Sequence, residues 1–290
     1  MNYEQINRKF EMLFFKPVSK SIQKRVDEVI NTINSNGIQA GITYLNNNLT
    51  NPELSAEIKR LYKTVGLRHA NETTRDLKRQ ERGSKFSIVM MEEKAGFGFN
   101  AEWVQFIIDY LQRHFIEKIT FNVNRTLRDY LLGQLNRSIT EGMGVDETVR
   151  NLSESGFSDM QAARIVRTEV NTAANAGTLA AGETYEYQML KTWIAVHDNR
   201  TRGVDPKDHA SHIGLDKTTI DFEDVFVDPR NGDTLTAPGD PTASAESIIN
   251  CRCKLGLKPK RDRNGRLIPK RQSTVVIYPS RRPRQQVVTI

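Results

Sequence analysis

The sequence is poor in features of exported and membrane proteins. Its only cysteines are Cys251 and Cys253, and the single residue between them would strain a disulfide, so a reducing environment is expected. No apolar run reaches the roughly 18 residues that suggest a transmembrane helix. The N-terminal stretch lacks the apolar core and the small-residue cleavage site of a signal peptide. A membrane-spanning or exported protein is therefore not predicted.

Signatures of common enzyme classes are also missing. The glycines of KAGFGF follow no predicted strand and precede no Gly-Lys-Ser/Thr, so they do not form a phosphate-binding loop. The stretch 84–99 around them is predicted to be a flexible connector. The His-Glu-x-x-His pattern of zinc proteases does not occur either. These absences favour a protein that is not an enzyme.

Positive charge is concentrated at the C-terminus. The net charge is +7, but residues 254–290 alone carry +10, from eleven Lys and Arg against Asp262, so the rest of the chain sums to −3. Residues 258–290 are predicted to form a basic extended tail, suited to phosphate or to an acidic protein surface. A solvated arm without a partner is the alternative. The candidate DNA or partner contacts are Lys258, Lys260, Arg261, Arg263, Arg266, Lys270, Arg271, Arg281, Arg282 and Arg284.

Apolar residues spaced by three and four predict that residues 1–156 form a helical domain. The dipeptide Asn51-Pro52 marks one helix start, because Pro is favoured at the first helical position. Asn100 is predicted to cap another helix. No motif in this half carries recognisable chemistry. Helices are predicted over 1–35, 52–80, 100–119 and 123–140, with a short helix after residue 144.

Residues 157–257 are predicted to form a small α+β domain, which makes the overall fold class α+β. Its first helix is rich in Ala and Gly, and Ser158 with Gln161 fits a capping box. Small residues let another element approach closely, so the helix is predicted to dock on a sheet through a polar network that includes Arg164, Arg167 and Glu169. Strands are predicted over 187–196, 222–227 and 251–257, with a short extended piece at Leu235.

The first of these strands carries apolar groups on both faces, so it is predicted to be central in the sheet. Between Lys191 and Cys253 the chain is dense in candidate functional side chains, and three interpretations compete. One is a zinc site, since His and Cys are preferred zinc ligands. Its ligands would be His209, His212, Cys251 and Cys253.

The second interpretation is acid–base catalysis by His197, Asp198 and His209. The third, which we favour, is a structural network. Paired Asp and Arg side chains form rigid bidentate contacts, and such contacts would fix a long loop that is otherwise costly to order. In the loop this network comprises Asp198, Arg200, Thr201, Arg202 and His209, and we extend it to Trp193 on the preceding strand and to the helix residues Arg164, Arg167 and Glu169.

Several motifs then follow one another in a specific order: RIVRTEVNTAANAG, KTWIAVHDNRTRGVDPKDHASHIG, a Pro-Gly-Asp-Pro turn and INCRC. This order resembles the phage Mu F-like minor head protein family, which includes the SPP1-type head morphogenesis proteins. The resemblance covers about residues 158–255. The matching positions are Arg164, Arg167, Thr168, Glu169, Trp193, Asp198, Arg200, Thr201, Arg202, His209, Gly214, Asp216, Pro238, Asn250, Cys251, Arg252 and Cys253.

The resemblance implies a virion component of a tailed phage, acting in head assembly, DNA packaging or ejection. Its implied partners are the portal or the major capsid protein, and packaged DNA through the basic tail, with no membrane involved. It would lie in the phage head, and in the host cytoplasm during assembly. Many relatives place a cysteine pair just after D-x-R-T, where this chain has Arg202 and His209, so the resemblance carries no metal to this chain. No cofactor is predicted, with zinc as the alternative. The alternative function is a phage-encoded DNA-binding protein or a zinc-dependent enzyme or effector that uses the His/Cys cluster.

Overall fold

The computed structural model describes residues 3–82, 101–154 and 156–270. The predicted connector at 84–99, the predicted cap Asn100 and the tail beyond residue 270 lie outside these ranges. The helices are α1 (Tyr3–Asn36), α2 (Ile38–Asn47), α3 (Pro52–Arg82), α4 (Ala101–Leu111), α5 (Glu117–Thr140), α6 (Val145–Glu154), α7 (Phe157–Thr184), α8 (His212–Leu215) and α9 (Ala245–Ile248). The strands are β1 (Met189–Ile194), β2 (Thr219–Asp221), β3 (Phe226–Val227), β4 (Thr234–Leu235) and β5 (Lys254–Pro259).

The helices of the first half form where the apolar spacing predicts them. Ile22, Val26 and Val29 are buried along one face of α1, as are Leu54 and Ile58 along α3. Side chains three and four residues apart share a helix face, so each helix buries one stripe against its neighbours. The predictions for α1 and α3 are confirmed to within two residues at each end.

The predicted break between helices near residue 120 is wrong. A π-helical turn, Gln112–Ile116, joins α4 directly to α5. Phe115, Ile119 and Val123 are all buried, so the apolar stripe continues across the predicted break. No Gly or Pro interrupts the chain there. The extra residue of the π-turn rotates the apolar stripe slightly. In the sequence, this shift looks like the start of a new helix, and a break was therefore predicted.

The predicted capping box at α7 is also wrong. Gly156 stands at the N-cap position with φ +55°, and Ser158 already lies inside the helix. The Ser158 hydroxyl donates to Gln23 Oε1 on α1 at 2.8 Å. Its hydrogen bond therefore ties α7 to α1 instead of capping the helix.

Helix α7 lies at the centre of the molecule, in contact with α1, α3 and β5. Its closest neighbour is α3: a Cβ added to Gly177 would clash with the Gly66 carbonyl and lie 2.9 Å from the Gly66 Cα. The small residues of α7 were predicted to allow close packing against a sheet. The closest packing they allow is instead against helix α3. The side of α7 that faces the sheet is also tightly packed, because a Cβ on Gly182 would lie 2.5 Å from the Phe222 ring.

The main sheet has three antiparallel strands in the order β2-β1-β5, so β1 is central as predicted. Met189, Lys191 and Trp193 form its buried face. The predicted strand over 222–227 is split: Phe222 follows β2 as a core residue, and β3 pairs with β4 in a separate hairpin. β4 confirms the extended piece at Leu235.

The final strand begins three residues later than predicted. Asn250 has φ +57°, which turns the chain before the cysteines. The Cys251 N–H then donates to the Ile248 carbonyl, and the Cys253 carbonyl accepts from side chains of α7, so neither residue is free to pair with β1. Both cysteines therefore lie just before β5 in the chain and are not part of the strand.

Residues 258–270, predicted as the start of an extended tail, are folded. Lys258 and Pro259 complete β5, and the chain then turns back through bridges between Arg261 and Leu267 and between Tyr187 and Pro269. One hydrophobic cluster extends from α1 to β5. The fold class α+β is confirmed. Within the described ranges, no helix combines the length and the apolar character needed to cross a bilayer.

Candidate functional site

The loop that follows β1 is held by a charged pair with Asp198 at its centre. Arg252 donates to both carboxylate oxygens of Asp198, at 2.5 and 2.6 Å. The Arg200 backbone N–H donates to Asp198 at 3.0 Å, and the Thr201 hydroxyl lies 3.2 Å from it. The Arg252 guanidinium holds the pKa of Asp198 well below its usual range, so the pair stays charged.

The other predicted loop residues divide into two groups. Arg202 donates to the Ile249 carbonyl and Thr201 to the Val196 carbonyl, so both join the loop to fixed backbone. The Arg200 side chain is 71% exposed, and its guanidinium lies 4.0 Å from the Asp198 carboxylate. At this distance the ion pair is weak, so Arg200 is peripheral to the network. His209 is exposed on the loop. The residue that dominates the pair, Arg252, was visible in the sequence only as part of the C-R-C motif.

Three further aspartates, which the sequence interpretation missed, hold the chain between residues 203 and 250. Asp228 is buried and accepts the Ser211 and Arg230 backbone N–H groups at 2.8 and 2.9 Å. Asp240 accepts from Thr236 and Thr242, and Asp233 accepts from the hydroxyls of two serines. A signal was present, since Asp in sequences such as DPRN and GDPT accepts the N–H two residues ahead in a turn.

Polar side chains of α7 satisfy the backbone that enters β5. The amides of Asn171 and Asn175 donate to the Cys253 carbonyl at 3.1 and 3.0 Å, and Asn175 also accepts from Leu255 N–H at 2.8 Å. Thr168 accepts from Asn250 N–H at 3.0 Å. The network predicted for this helix therefore exists, but its members are the amides and the threonine. Arg164 and Arg167, which were predicted for it, are exposed.

Glu169 faces the helical half instead of the loop. It is buried, and the Tyr62 hydroxyl on α3 donates to its carboxylate at 2.8 Å. Burial raises the pKa of Glu169 to about 7, because the charged form is poorly solvated there. This residue joins α7 to α3 and takes no part in the loop.

A buried cluster of His212, Cys251 and Cys253 lies beneath the loop. The Nδ1 atom of His212 is 3.6 Å from the sulfur of each cysteine. All three side chains are at most 3% exposed. The Trp193 ring stands edge-on to the imidazole at 5.1 Å. His209, the fourth member predicted from sequence, is exposed and outside the cluster, because Ala210 and Ser211 turn inward before His212 begins α8.

The two thiols of the cluster differ in acidity. The hydrogen bond from Cys253 lowers the pKa of the Cys251 thiol, with a further contribution from His212, and the same bond raises the pKa of Cys253. The Trp193 indole N–H faces the Cys253 sulfur without closing a hydrogen bond. Within the described residues, His212 Nε2 and Trp193 Nε1 are buried without a partner.

The predicted acid–base group is not assembled. His197 Nε2 lies 2.9 Å from the carboxylate of Asp216, whereas Asp198 is engaged by Arg252. His209 points to solvent. These three side chains therefore take separate partners.

The basic residues predicted for DNA contact also divide. Lys260 pairs with Asp221 at 2.7 Å, and Arg261 donates to the Gln80 carbonyl at 3.0 Å. Lys270 donates to the Gly182 and Glu183 carbonyls at the C-terminus of α7. Three other described residues of this basic set are exposed: Lys258, Arg263 and Arg266. The rest of the set lies outside the described residues: Arg271, Arg281, Arg282 and Arg284.

Residues 130–256 match the protein family described as phage Mu protein F like protein. The matched region begins within α5 and includes α7, the loop with its aspartates and the His212–Cys251–Cys253 cluster. Comparisons with curated proteins and with solved structures give no significant match. The resemblance drawn from the sequence motifs is thereby confirmed for this region, which is similar to the phage Mu F-like family.

The matched family is one of phage head morphogenesis proteins. The match covers less than half of the chain, and helices α1 to α4 lie outside it.

Proposed function

We propose that the protein is a minor head protein of a tailed bacteriophage, with a structural and assembly role in head morphogenesis, DNA packaging or ejection near the portal. The observation that carries the proposal is the family match, because the matched residues include the whole loop held by Asp198 and Arg252. We further propose that the chain lies in the phage head, and in the host cytoplasm during assembly.

The contacts of the matched region support a structural role. The carboxylates of Asp198, Asp228 and Asp240 accept hydrogen bonds from neighbouring backbone and side-chain donors. Groups that are saturated in this way fix the shape of a loop, whereas general acids and bases need a free face for substrate. The loop therefore presents a fixed surface, suited to a protein partner such as the portal or the major capsid protein.

Packaged DNA is the second proposed partner. Lys258, Arg263 and Arg266 are exposed on the strand end and turn that follow β5. Cations at this surface attract phosphate through counterion release, which does not depend on base sequence. A protein inside a filled head meets DNA at very high density, so weak and non-specific binding is sufficient.

The proposal is tested in a phage that encodes this chain. Purified heads are analysed by mass spectrometry, and a deletion strain is complemented with wild-type chain, with Asp198→Ala or with Arg200→Ala. We expect the chain in mature heads, and a loss of infectious particles in the deletion strain. Asp198→Ala should complement poorly, while Arg200→Ala, which changes the exposed neighbour, should complement fully.

Two outcomes would contradict the proposal. One is the absence of the chain from purified heads of a phage that expresses it. The other is a normal yield of filled, infectious particles from the deletion strain.

A further inference from the structure

We infer that His212, Cys251 and Cys253 bind one zinc ion, through the imidazole Nδ1 and the two sulfurs. Zinc bonds of about 2.3 Å to sulfur and about 2.0–2.1 Å to nitrogen, in tetrahedral geometry, separate nitrogen and sulfur ligands by about 3.6 Å. Both Nδ1–Sγ distances are 3.6 Å. The three ligand atoms all lie within 4.8 Å of one another. Two edges of this triangle thus match one face of a zinc tetrahedron, and its sulfur–sulfur edge is at most 4.8 Å.

The chemistry of the donors favours zinc over harder ions. Thiolate and imidazole ligands select zinc, whereas magnesium and calcium prefer oxygen. Binding would release one proton from each thiol, and the two thiolates would balance the charge of Zn²⁺ while the imidazole stays neutral. No electron transfer is involved.

The ligands are positioned by contacts that do not depend on a metal. The Cys253 carbonyl is held by Asn171 and Asn175 of α7, and the Cys251 N–H by the Ile248 carbonyl. His212 begins α8 directly after Ser211, whose N–H is held by the buried Asp228. Such positioning reduces the entropy lost when a metal binds.

Further groups suit a metal-bound thiolate. The Trp193 ring lies edge-on to the His212 imidazole, with 5.1 Å between the ring centroids. The Trp193 indole N–H is buried without a partner in the described part of the chain, and burial of such a donor is costly unless an acceptor is present. A thiolate is a far better acceptor than a thiol, so a zinc-bound thiolate beside this ring would suit the donor.

The three protein ligands leave one corner of the tetrahedron, which we assign to a water molecule. Since the cluster is buried beneath the loop, the zinc would tie α8 to the entrance of β5 and stabilise the fold. This inference does not rest on the proposed head function. A protein with another function would bind zinc equally well through the same three side chains.

The test is elemental analysis of the full chain, purified without chelators from zinc-supplemented medium. We expect about one zinc per chain, and a loss of at least about tenfold in zinc content in Cys251→Ser and in Cys253→Ser. His209→Ala is the matched control, because it removes the nearby exposed histidine, and it should retain the metal. Chelation should lower the Tm of the wild-type chain.

A second measurement covers variants that fail to fold. Wild-type chain, stripped and reloaded with Co²⁺, should show the intense visible bands of tetrahedral cobalt and the near-ultraviolet absorption of cobalt–thiolate bonds. Folded, reduced wild-type chain without zinc and without these bands would overturn the inference. Loss of zinc in His209→Ala with retention in the cysteine variants would do the same.

Discussion

At the residue scale, Asp198 shows how one carboxylate organises a long loop. Its two oxygens accept the Arg252 guanidinium, and the same side chain accepts from the start of the loop, so two segments 54 residues apart are fixed together. Bidentate pairs between Arg and carboxylate are about twice as strong as neutral hydrogen bonds. The pair is only partly buried, with side chains 26% and 32% exposed, so solvent screens part of that strength.

We therefore expect Asp198→Asn and Arg252→Gln to be strongly coupled. A double-mutant cycle, measured by urea unfolding at pH 7, should give a coupling of about 1–2 kcal/mol. Arg200→Gln should cost less than about 0.5 kcal/mol, because this side chain is exposed. Because the folded pKa of Asp198 is depressed, the coupling should be complete above the ordinary value of 3.8 and should decline as the pH falls from there toward the folded pKa. Additive effects of the two substitutions at pH 7 would contradict the assignment.

Glu169 provides a second residue-scale prediction, with the opposite pH dependence. Its folded pKa of about 7 lies above the ordinary value of 4.5, so the folded protein holds this proton more tightly than the unfolded chain does. The stability that the proton provides is complete below pH 4.5 and is lost as the pH rises to about 7.

Glu169→Gln should remove this loss. The amide oxygen still accepts from Tyr62, so the variant should match wild type near pH 5 and exceed it at pH 8, by on the order of 1–3 kcal/mol. Urea unfolding at the two pH values measures the difference. Glu141→Gln, at an exposed helix end, is the control and should show no such change. An equal effect of Glu169→Gln at both pH values would refute the prediction.

The candidate site was only partly predictable at this scale. The residue types of Cys251, Cys253 and His212 are evident from sequence, and their types alone suggested metal ligation. The choice between His209 and His212 was not available, because burial of one and exposure of the other depend on the turn before α8. The role of Arg252 could not be predicted either, because its partner Asp198 lies 54 residues away in the sequence.

At the scale of elements, the crossing of α7 and α3 depends on the absence of a side chain at Gly177. Gly177 and Gly66 meet at the crossing, and there is no space for a Cβ on Gly177. Glycine inside a helix costs about 0.5–1 kcal/mol relative to alanine. Here the cost is offset, because a close approach of backbones brings many more atoms into contact.

Gly177→Ala should therefore destabilise the protein by about 3 kcal/mol, because the helices must separate or shift. Gly133→Ala is the matched control: this glycine also lies inside a helix, but a Cβ there meets no atom within 4 Å. The control should gain about 0.5–1 kcal/mol. Thermal unfolding of both variants tests the pair, and a Gly177→Ala variant as stable as Gly133→Ala would show that the crossing tolerates a methyl group.

Elements with a long apolar period were predictable, and elements decided by distant contacts were not. The stripes of α1 and α3 repeat over many turns, so local pattern alone fixed them. The start of β5 depends on where Asn171 and Asn175 hold the Cys253 carbonyl, and no local pattern contains that information. The π-turn after α4 was missed because the residue it adds shifts the apolar spacing, and the sequence pattern alone does not distinguish that shift from the start of a new helix.

At the scale of the whole molecule, the basic residues between Lys258 and Lys270 fall into two groups. Lys270 and Arg261 bind backbone carbonyls near the C-termini of α7 and α3, where the helix dipole favours positive charge. These cations hold the fold and are not free to meet DNA. The other described members of the basic set are Lys258, Arg263 and Arg266, and all three are exposed. The sequence indicated the total charge but could not separate these two groups.

Neutralising the exposed group should weaken binding to duplex DNA. We expect the triple variant Lys258→Gln, Arg263→Gln, Arg266→Gln to lower the slope of log Kobs against log salt by about 2–3. The control variant removes the same charge from exposed positions of α1, through Lys9→Gln, Lys16→Gln and Lys20→Gln. Fluorescence anisotropy across a salt series measures both. Equal weakening by the two variants would show that net charge, and not this surface, governs binding.

The central position of α7 has a consequence for synthesis of the chain. The Tyr3 hydroxyl donates to Asn171 and Asn175, so the first turn of α1 finds these partners only after some 170 residues have been made. At roughly 5–20 residues per second, α1 and α3 wait on the order of 10–30 s on the ribosome before α7 covers them. The sides of α1 and α3 that face α7 stay uncovered during that time. We therefore expect a fragment that stops before residue 157 to aggregate under conditions in which the full chain folds.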